Sequence, residues 1–221
     1  MLITREQFER MMPNGGVRLD AHWPYINQTL ATGKINTPDR VAAFLAQLAH
    51  ESGEYRYMEE IWGPTEAQLG YEGRADLGNV RPGDGRKYAG HGPIQITGRD
   101  NHRACGSFLG IDAEFDPRLL TLPQYGTAAA VWFWTIGNKK IDLNLLADRG
   151  WFKTMTRVIN GGYNGLSDRR QYWDRNRALL GLAPIDLDLE AEAIKAFQRE
   201  RGLGADGVAG PKTFAAVRAA A

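Results

Sequence analysis

Apolar positions recur at helical spacing over most of the chain. Val41, Phe44, Leu45 and Leu48 fall at i, i+3, i+4 and i+7, the mark of a helix with one buried stripe. Thr37 supplies an N-cap, Pro38 suits the first helical position, and Asp39 complements the positive end of the helix dipole. Gly53 ends this helix just after Glu51. Thr4-x-x-Gln7 is a capping box and predicts a first helix over residues 5–12, stopped by Pro13-Asn14-Gly15-Gly16. A second helix covers residues 20–31 and stops at Gly33. Residues 63–92 are rich in glycine and lack periodicity, so only a short helix from Thr65 is expected there, the rest being loop or small hairpin. Pro93 to Thr97 reads as a strand, followed by a turn and a helix over residues 99–109.

Further helices are expected over residues 123–136 and 151–159, the latter ended by Asn160-Gly161-Gly162, and over residues 168–182, capped by Ser167. In that last helix Arg169, Arg170, Arg175 and Arg177 alternate with Asp168 and Asp174, which predicts a solvated face. Leu182-Ala183-Pro184 marks a boundary, dividing the chain into residues 1–182 and 187–221. In the tail Ile194, Phe197 and Ala191 define one helical face, residues 202–211 form a glycine-rich turn, and Phe214 and Val217 anchor a final helix. The chain is mainly α.

Composition adds exclusions. The 221 residues carry a net charge of +1, which offers no electrostatic case for nucleic acid as a partner. Cys105 is alone, so no disulfide can form within the chain, and synthesis in a reducing compartment is expected. The first dozen residues lack the apolar run of a signal peptide, and the longest apolar run, residues 128–134, is too short to cross a bilayer. No stable membrane insertion is expected, and a monomer is.

Carrying the helical step onward puts Glu51 at the edge of the apolar stripe, where partial desolvation favours the protonated carboxyl that a general acid needs. A glutamate at a helix end is more often a plain surface residue, and spacing alone does not separate the two readings. Glu59 and Glu60, flanked by Tyr55, Tyr57 and Trp62, offer a second, more solvated carboxylate as base. His50-Glu51 begins a zinc signature, but position 54 is Glu where the second histidine belongs, and His22, His91 and His102 show no ligand spacing. No metal and no cofactor are expected. No nucleophile elbow or phosphate-binding loop is present either. Carboxylates remain, and with the polar ladder Gln95, Thr97 and Asn101 they suit glycoside hydrolysis.

The strings AAFLAQLAHESGEYRYMEE, YAGHGPIQITGRDNH and VINGG together resemble the family 19 glycoside hydrolases, the plant-type chitinases and their phage endolysin relatives. The resemblance spans roughly residues 35–182. It implies a lysozyme-like α+β fold with a small β element beside the cleft. It makes Glu51 the general acid and, from a string of the form H-E-S-G-G-F-R-Y with the second glutamate nine residues on, Glu60 rather than Glu59 the base. Thr97 and Gln95 are then expected to position water or substrate, with Asn101, Asn160 and Tyr57 along the sugar cleft. It also implies inversion, with room for a water between the two carboxyls. His91 stands where the family usually has Arg, and the short glutamate spacing and lone cysteine depart from the plant enzymes. The tail string IKAFQRERGLGADGVAGPKTFAAV resembles part of a peptidoglycan-binding domain; it either binds wall or packs as a helical extension. The expected function is that of an endolysin cleaving β-1,4 bonds of peptidoglycan glycan strands, a muramidase. It would be made in the host cytoplasm and act on the wall once the membrane is breached. A chitinase and a non-catalytic wall-binding protein are the alternatives.

Overall fold

The computed structural model describes residues 1–221. The capping box forms: Thr4 Oγ1 accepts the Gln7 N–H at 3.1 Å and Gln7 Oε1 accepts the Thr4 N–H at 2.9 Å, opening α1 (Arg5–Met11). α2 (Arg18–Thr32) follows, and then α3 (Pro38–Ser52), capped by Thr37 and closed by Gly53 at φ 54°. Every residue of α3 from Val41 to Ala49 is buried, so this helix has no solvated face. Ala42, Ala43, Ala46 and Ala49 fill the positions between the larger apolar residues, and their small side chains admit neighbouring helices all round.

The glycine-rich stretch is loop apart from α4 (Glu66–Leu69), a short 3-10 turn and α5 (Asp84–Lys87). Pro93 to Thr97 is a turn, not a strand. Gly92 at φ 77° and Gln95 at φ 54° double the chain back, and His91 exchanges backbone hydrogen bonds with Ile96 at 3.0 and 2.9 Å. The expected β element thus shrinks to two isolated bridges, Glu59 with His91 and His91 with Ile96.

α6 (Arg99–Leu109), α7 (Pro123–Trp132), α8 (Asn144–Ala147), α9 (Phe152–Asn160) and α10 (Leu166–Leu179) complete the main body, α7 running on into a π turn at Phe133–Gly137. α10 is capped by Gly165 at φ 71° rather than by Ser167, and it stops three residues short of Leu182. Any Cβ at position 165 would run into the His50 ring, so the glycine is what lets α10 start against the end of α3. The solvated face expected of α10 holds for Arg170 and Arg175 but fails for Arg169 and Arg177, which are only 1% and 5% exposed. Those two arginines, with Trp173 and Asn176, face inward. Arg177 pairs with Asp39 at 2.6 Å and lies over the Trp173 ring, which stacks on Phe152 at 4.5 Å.

The tail forms α11 (Glu190–Glu200) and α12 (Pro211–Ala219). Leu187, Ile194, Ala209, Phe214 and Val217 join the same apolar cluster as Phe44 and Trp134. Ala191, expected on the buried face, is exposed. Glu190 sits on the N-terminus of α9, accepting the N–H groups of Lys153 and Thr154, each at 2.7 Å. It thereby caps a helix that has no cap of its own.

Candidate active site

Glu51 lies at the last turn of α3, and its surroundings are made by α10. Arg169 Nη2 is 2.5 Å from Glu51 Oε1, an ion pair without the alignment of a hydrogen bond. Arg169 Nη1 donates to Gln47 Oε1 at 2.5 Å, one turn back on the same face of α3. His50 Nδ1 is 2.6 Å from Asp168 Oδ2, and the Tyr172 hydroxyl donates to Glu54 Oε1 at 2.6 Å. One turn of α10 therefore holds the whole end of α3. The guanidinium of Arg169 is the charged neighbour of Glu51 at the end of α3.

Past Ser52 the chain takes an unusual turn. Gly53, Glu54 and Tyr55 have φ of 54°, 59° and 63°, three successive left-handed residues of which two carry a Cβ. Glu54 is 1% exposed and accepts hydrogen bonds from the Asn14 backbone, from Asn14 Nδ2 at 2.9 Å and from Tyr172. These bonds hold the turn against its strain, and burial with the neighbouring Glu54 charge raises the Tyr172 hydroxyl above its ordinary range. The turn delivers Tyr57, whose N–H donates to Ser52 O at 2.8 Å and whose exposed ring lies over Gly53.

Glu60 is half-buried rather than freely solvated. Its Oε1 accepts from Gln68 Nε2 at 3.0 Å and from the Tyr71 hydroxyl at 3.4 Å, and its Oε2 accepts from the Gly90 N–H at 2.9 Å. Three neutral donors fix the orientation of this side chain. Gln68 is itself fixed by α4: its Oε1 takes the N–H groups of Gly63 and Thr65. Glu59, by contrast, is exposed.

Gln95 packs against Gly90, next to the backbone that holds Glu60, and donates to Tyr57 O at 3.1 Å. Thr97 Oγ1 donates to Gln95 O at 3.0 Å and Asn101 Nδ2 to Thr97 O at 2.8 Å. The structure thus gathers Tyr57, Glu60, Gln95, Thr97 and Asn101 into one hydrogen-bonded patch. Glu51 joins through the short chain between Ser52 and Tyr57. Asn160 stands apart: it is exposed at the end of α9, and no hydrogen bond links its side chain to the others.

His91 is 4% exposed and lies beneath this patch. Its Nδ1 is 2.7 Å from Ala89 O and 3.1 Å from His102 Nε2. Burial lowers both rings, His102 to about 4. His91 braces the turn through its two backbone hydrogen bonds with Ile96. Sequence reasoning missed Arg169, Glu54, Tyr71 and the link from Gln68 to Glu60; only the Thr65-x-x-Gln68 capping box pointed at any of them.

Both parts of the chain resemble known proteins. The family model described as chitinase class I matches residues 24–142, and a peptidoglycan binding domain model matches residues 191–217. A glycosyl hydrolase family 19 domain-containing protein of Haemophilus influenzae is 34% identical over 199 residues, covering 76% of this chain and 92% of that protein. An endochitinase of Arabidopsis thaliana is 36% identical over 151 residues, covering 65% of this chain and 49% of the plant protein. The chain thus spans about half the length of that plant relative. Among solved structures, chitinase C from Streptomyces griseus superposes with a TM-score of 0.67 at 24% identity, over 84% of this chain and 79% of that one. The helical, nearly strandless fold is therefore that of these chitinases, and the chain belongs to the family 19 glycoside hydrolases.

Proposed function

We propose that the protein hydrolyses β-1,4 glycosidic bonds of peptidoglycan by acid and base catalysis with inversion. The observation that carries the chemistry is the different hold on two glutamates: Glu51 faces a buried cation, and Glu60 sits among three neutral donors. Glu51 protonates the glycosidic oxygen as the C1–O bond breaks, and Arg169 stabilises the carboxylate that this leaves behind, where the charge develops. Glu60 takes a proton from water as the water oxygen bonds to C1 from the opposite face. Thr97 Oγ1 donates inward to Gln95 and keeps lone pairs for that water or for a sugar hydroxyl.

The match of residues 191–217 to a peptidoglycan binding domain, and the packing of that segment on α9, favour peptidoglycan as substrate. The buried, lone Cys105 fits synthesis in a reducing compartment, as for an endolysin released onto the wall when the membrane is breached. The second reading, a chitinase, is favoured by the relatives named as endochitinases. Digestion of purified peptidoglycan, followed by mass spectrometry of the products and NMR of the first anomer, separates the two. We expect reducing N-acetylmuramic acid ends, formed first as the α-anomer. Reducing N-acetylglucosamine ends, or efficient turnover of chitin oligomers, move the protein to the second reading, and a β-anomer overturns inversion.

A further inference from the structure

A cavity of about 530 Å³ opens at the seam between the tail and the main body, away from Glu51 and Glu60. That volume lies within the usual range of a small-ligand site. Lys139, Lys140 and Arg157 line it from the main body and Arg218 from α12, and no Asp or Glu is among the lining residues. Arg157 donates to Ala209 O at 2.6 Å, Arg218 to Lys140 O at 2.7 Å, and Lys140 Nζ is 3.5 Å from Val158 O. Backbone carbonyls position these cations and leave their charge uncompensated. Asp206 lies near enough to Arg157 to feel its charge, but its Oδ1 accepts from Gln198 and Val208 N–H instead. The N-terminus of α12, with no side-chain cap, opens at Pro211 on the same cavity and adds the positive end of its dipole. Val158, Val208, Pro211 and Phe214 form an apolar wall.

We infer that this seam binds a carboxylate of a short, partly apolar peptide, namely the stem peptide carried by peptidoglycan. The inference rests on the peptidoglycan reading above and deepens it. Several cations converging on an apolar pocket with no acidic lining residue are a built electrostatic demand for an anion. The location selects the anion. One wall belongs to the segment that matches a peptidoglycan binding domain, and the other is made by Arg157, Val158 and Gly161 at the end of α9. A glycan strand in the cleft carries its stem peptides alongside, so the seam would recognise the peptide while the cleft holds the sugars. A substrate lacking peptides, such as chitin, has nothing to offer it. This gives the tail a role that it can perform only while docked, which fits its shared core with the main body.

The test uses the full chain carrying Glu51→Gln, so that wall is bound without being cut. The probes are whole peptidoglycan in a pelleting assay and, by calorimetry, the tetrapeptide L-Ala-D-Glu-meso-diaminopimelate-D-Ala with its carboxylates free or amidated. We expect the free acid to bind at least tenfold more tightly than the amidated peptide. Adding Lys140→Gln, which leaves the Lys140 carbonyl to Arg218, should weaken the free acid severalfold and not the amidated form. Arg157→Gln should do the same, with a melting curve to show that the tail remains docked. Equal affinity for the two peptides, or binding of neither while the chain still pellets with peptidoglycan, overturns the seam site and leaves the peptidoglycan reading standing. Tighter binding of poly(glycerol phosphate) than of the free-acid peptide overturns the choice of a peptide carboxylate. Failure to pellet with peptidoglycan at all removes both readings together.

Discussion

Arg169 shows what a single residue contributes here. In the sequence it is one cation in a mixed-charge helix; in the structure it is buried against Glu51 and Gln47. Nothing local announces this, because Glu51 lies 118 positions away along the chain, and charge alternation describes a solvated helix and a half-buried one equally well. Removing one partner of a buried pair strands the other, at a cost of about 3–5 kcal/mol. Arg169→Ala should therefore lower the urea midpoint markedly as well as depress turnover. Arg169→Lys should recover little of either, since one ammonium cannot reproduce the guanidinium fork between Gln47 and Glu51. Wild-type stability in Arg169→Ala would show that the pair contributes nothing. The place of Glu51 at the end of its helix was legible, because the stripe Val41-Phe44-Leu45-Leu48 fixes the register; its role as acid came from the family resemblance. The choice of Glu60 over Glu59 needed a family resemblance, although three donors now mark it out.

At the scale of elements, helix starts and stops were the most readable feature where the cap is local. Thr4, Thr37, Gly53 and Thr65 perform as their sequence contexts predict. Errors arose where a distant contact decides. Pro93-Ile94-Gln95-Ile96-Thr97 alternates like a strand, yet Gln95 takes φ 54° to bring its amide to Tyr57 O, and the ladder ends. Ser167 is a good capping residue, but the close approach of His50 moves the helix start to Gly165. Gly165→Ala should consequently destabilise, adding a clash to the roughly 1–2 kcal/mol that a left-handed residue with a Cβ costs. A melting temperature equal to that of the parent would contradict the packing. The left-handed turn after α3 carries a related expectation. Glu54→Ala removes the bonds to Asn14 and Tyr172 that hold two strained non-glycine residues, so stability should fall by a few kcal/mol. Turnover should fall too, because the turn sets the path to Tyr57 and Glu60. A variant that keeps full turnover would show that the turn does not position the site.

For the molecule as a whole, the helical class was legible from periodicity. The docking of the tail was not, since Glu190 caps α9 across some 36 positions and Phe197 packs edge-on against Trp151 at 5.5 Å. The buried histidines set a global pH dependence. Burial pushes His22 and His102 to about 4 and lowers His91, against about 6.5 in the unfolded chain. Below 6.5 the unfolded state binds more protons than the native one, so stability is full above that pH and falls as pH drops towards 4. For the fully buried His102 alone the loss is on the order of 3 kcal/mol. Denaturant titrations between pH 7 and 4 should show this decline, and a flat profile over that window would contradict the burial of these rings. Glu114, held to about 2 by hydrogen bonds from Arg103 and Arg99, adds a further loss only below about 4.5.

Whether Glu51 and Glu60 conduct the hydrolysis as acid and base is decided by turnover of one soluble glycan by the parent protein, Glu51→Gln, Glu60→Gln and Glu59→Gln, each with its melting curve. Losses of about 10²–10⁴-fold or more are expected for Glu51→Gln and Glu60→Gln with the fold intact, and little change for Glu59→Gln. A folded Glu51→Gln protein with near-normal turnover, or a Glu59→Gln variant more impaired than Glu60→Gln, would contradict these roles.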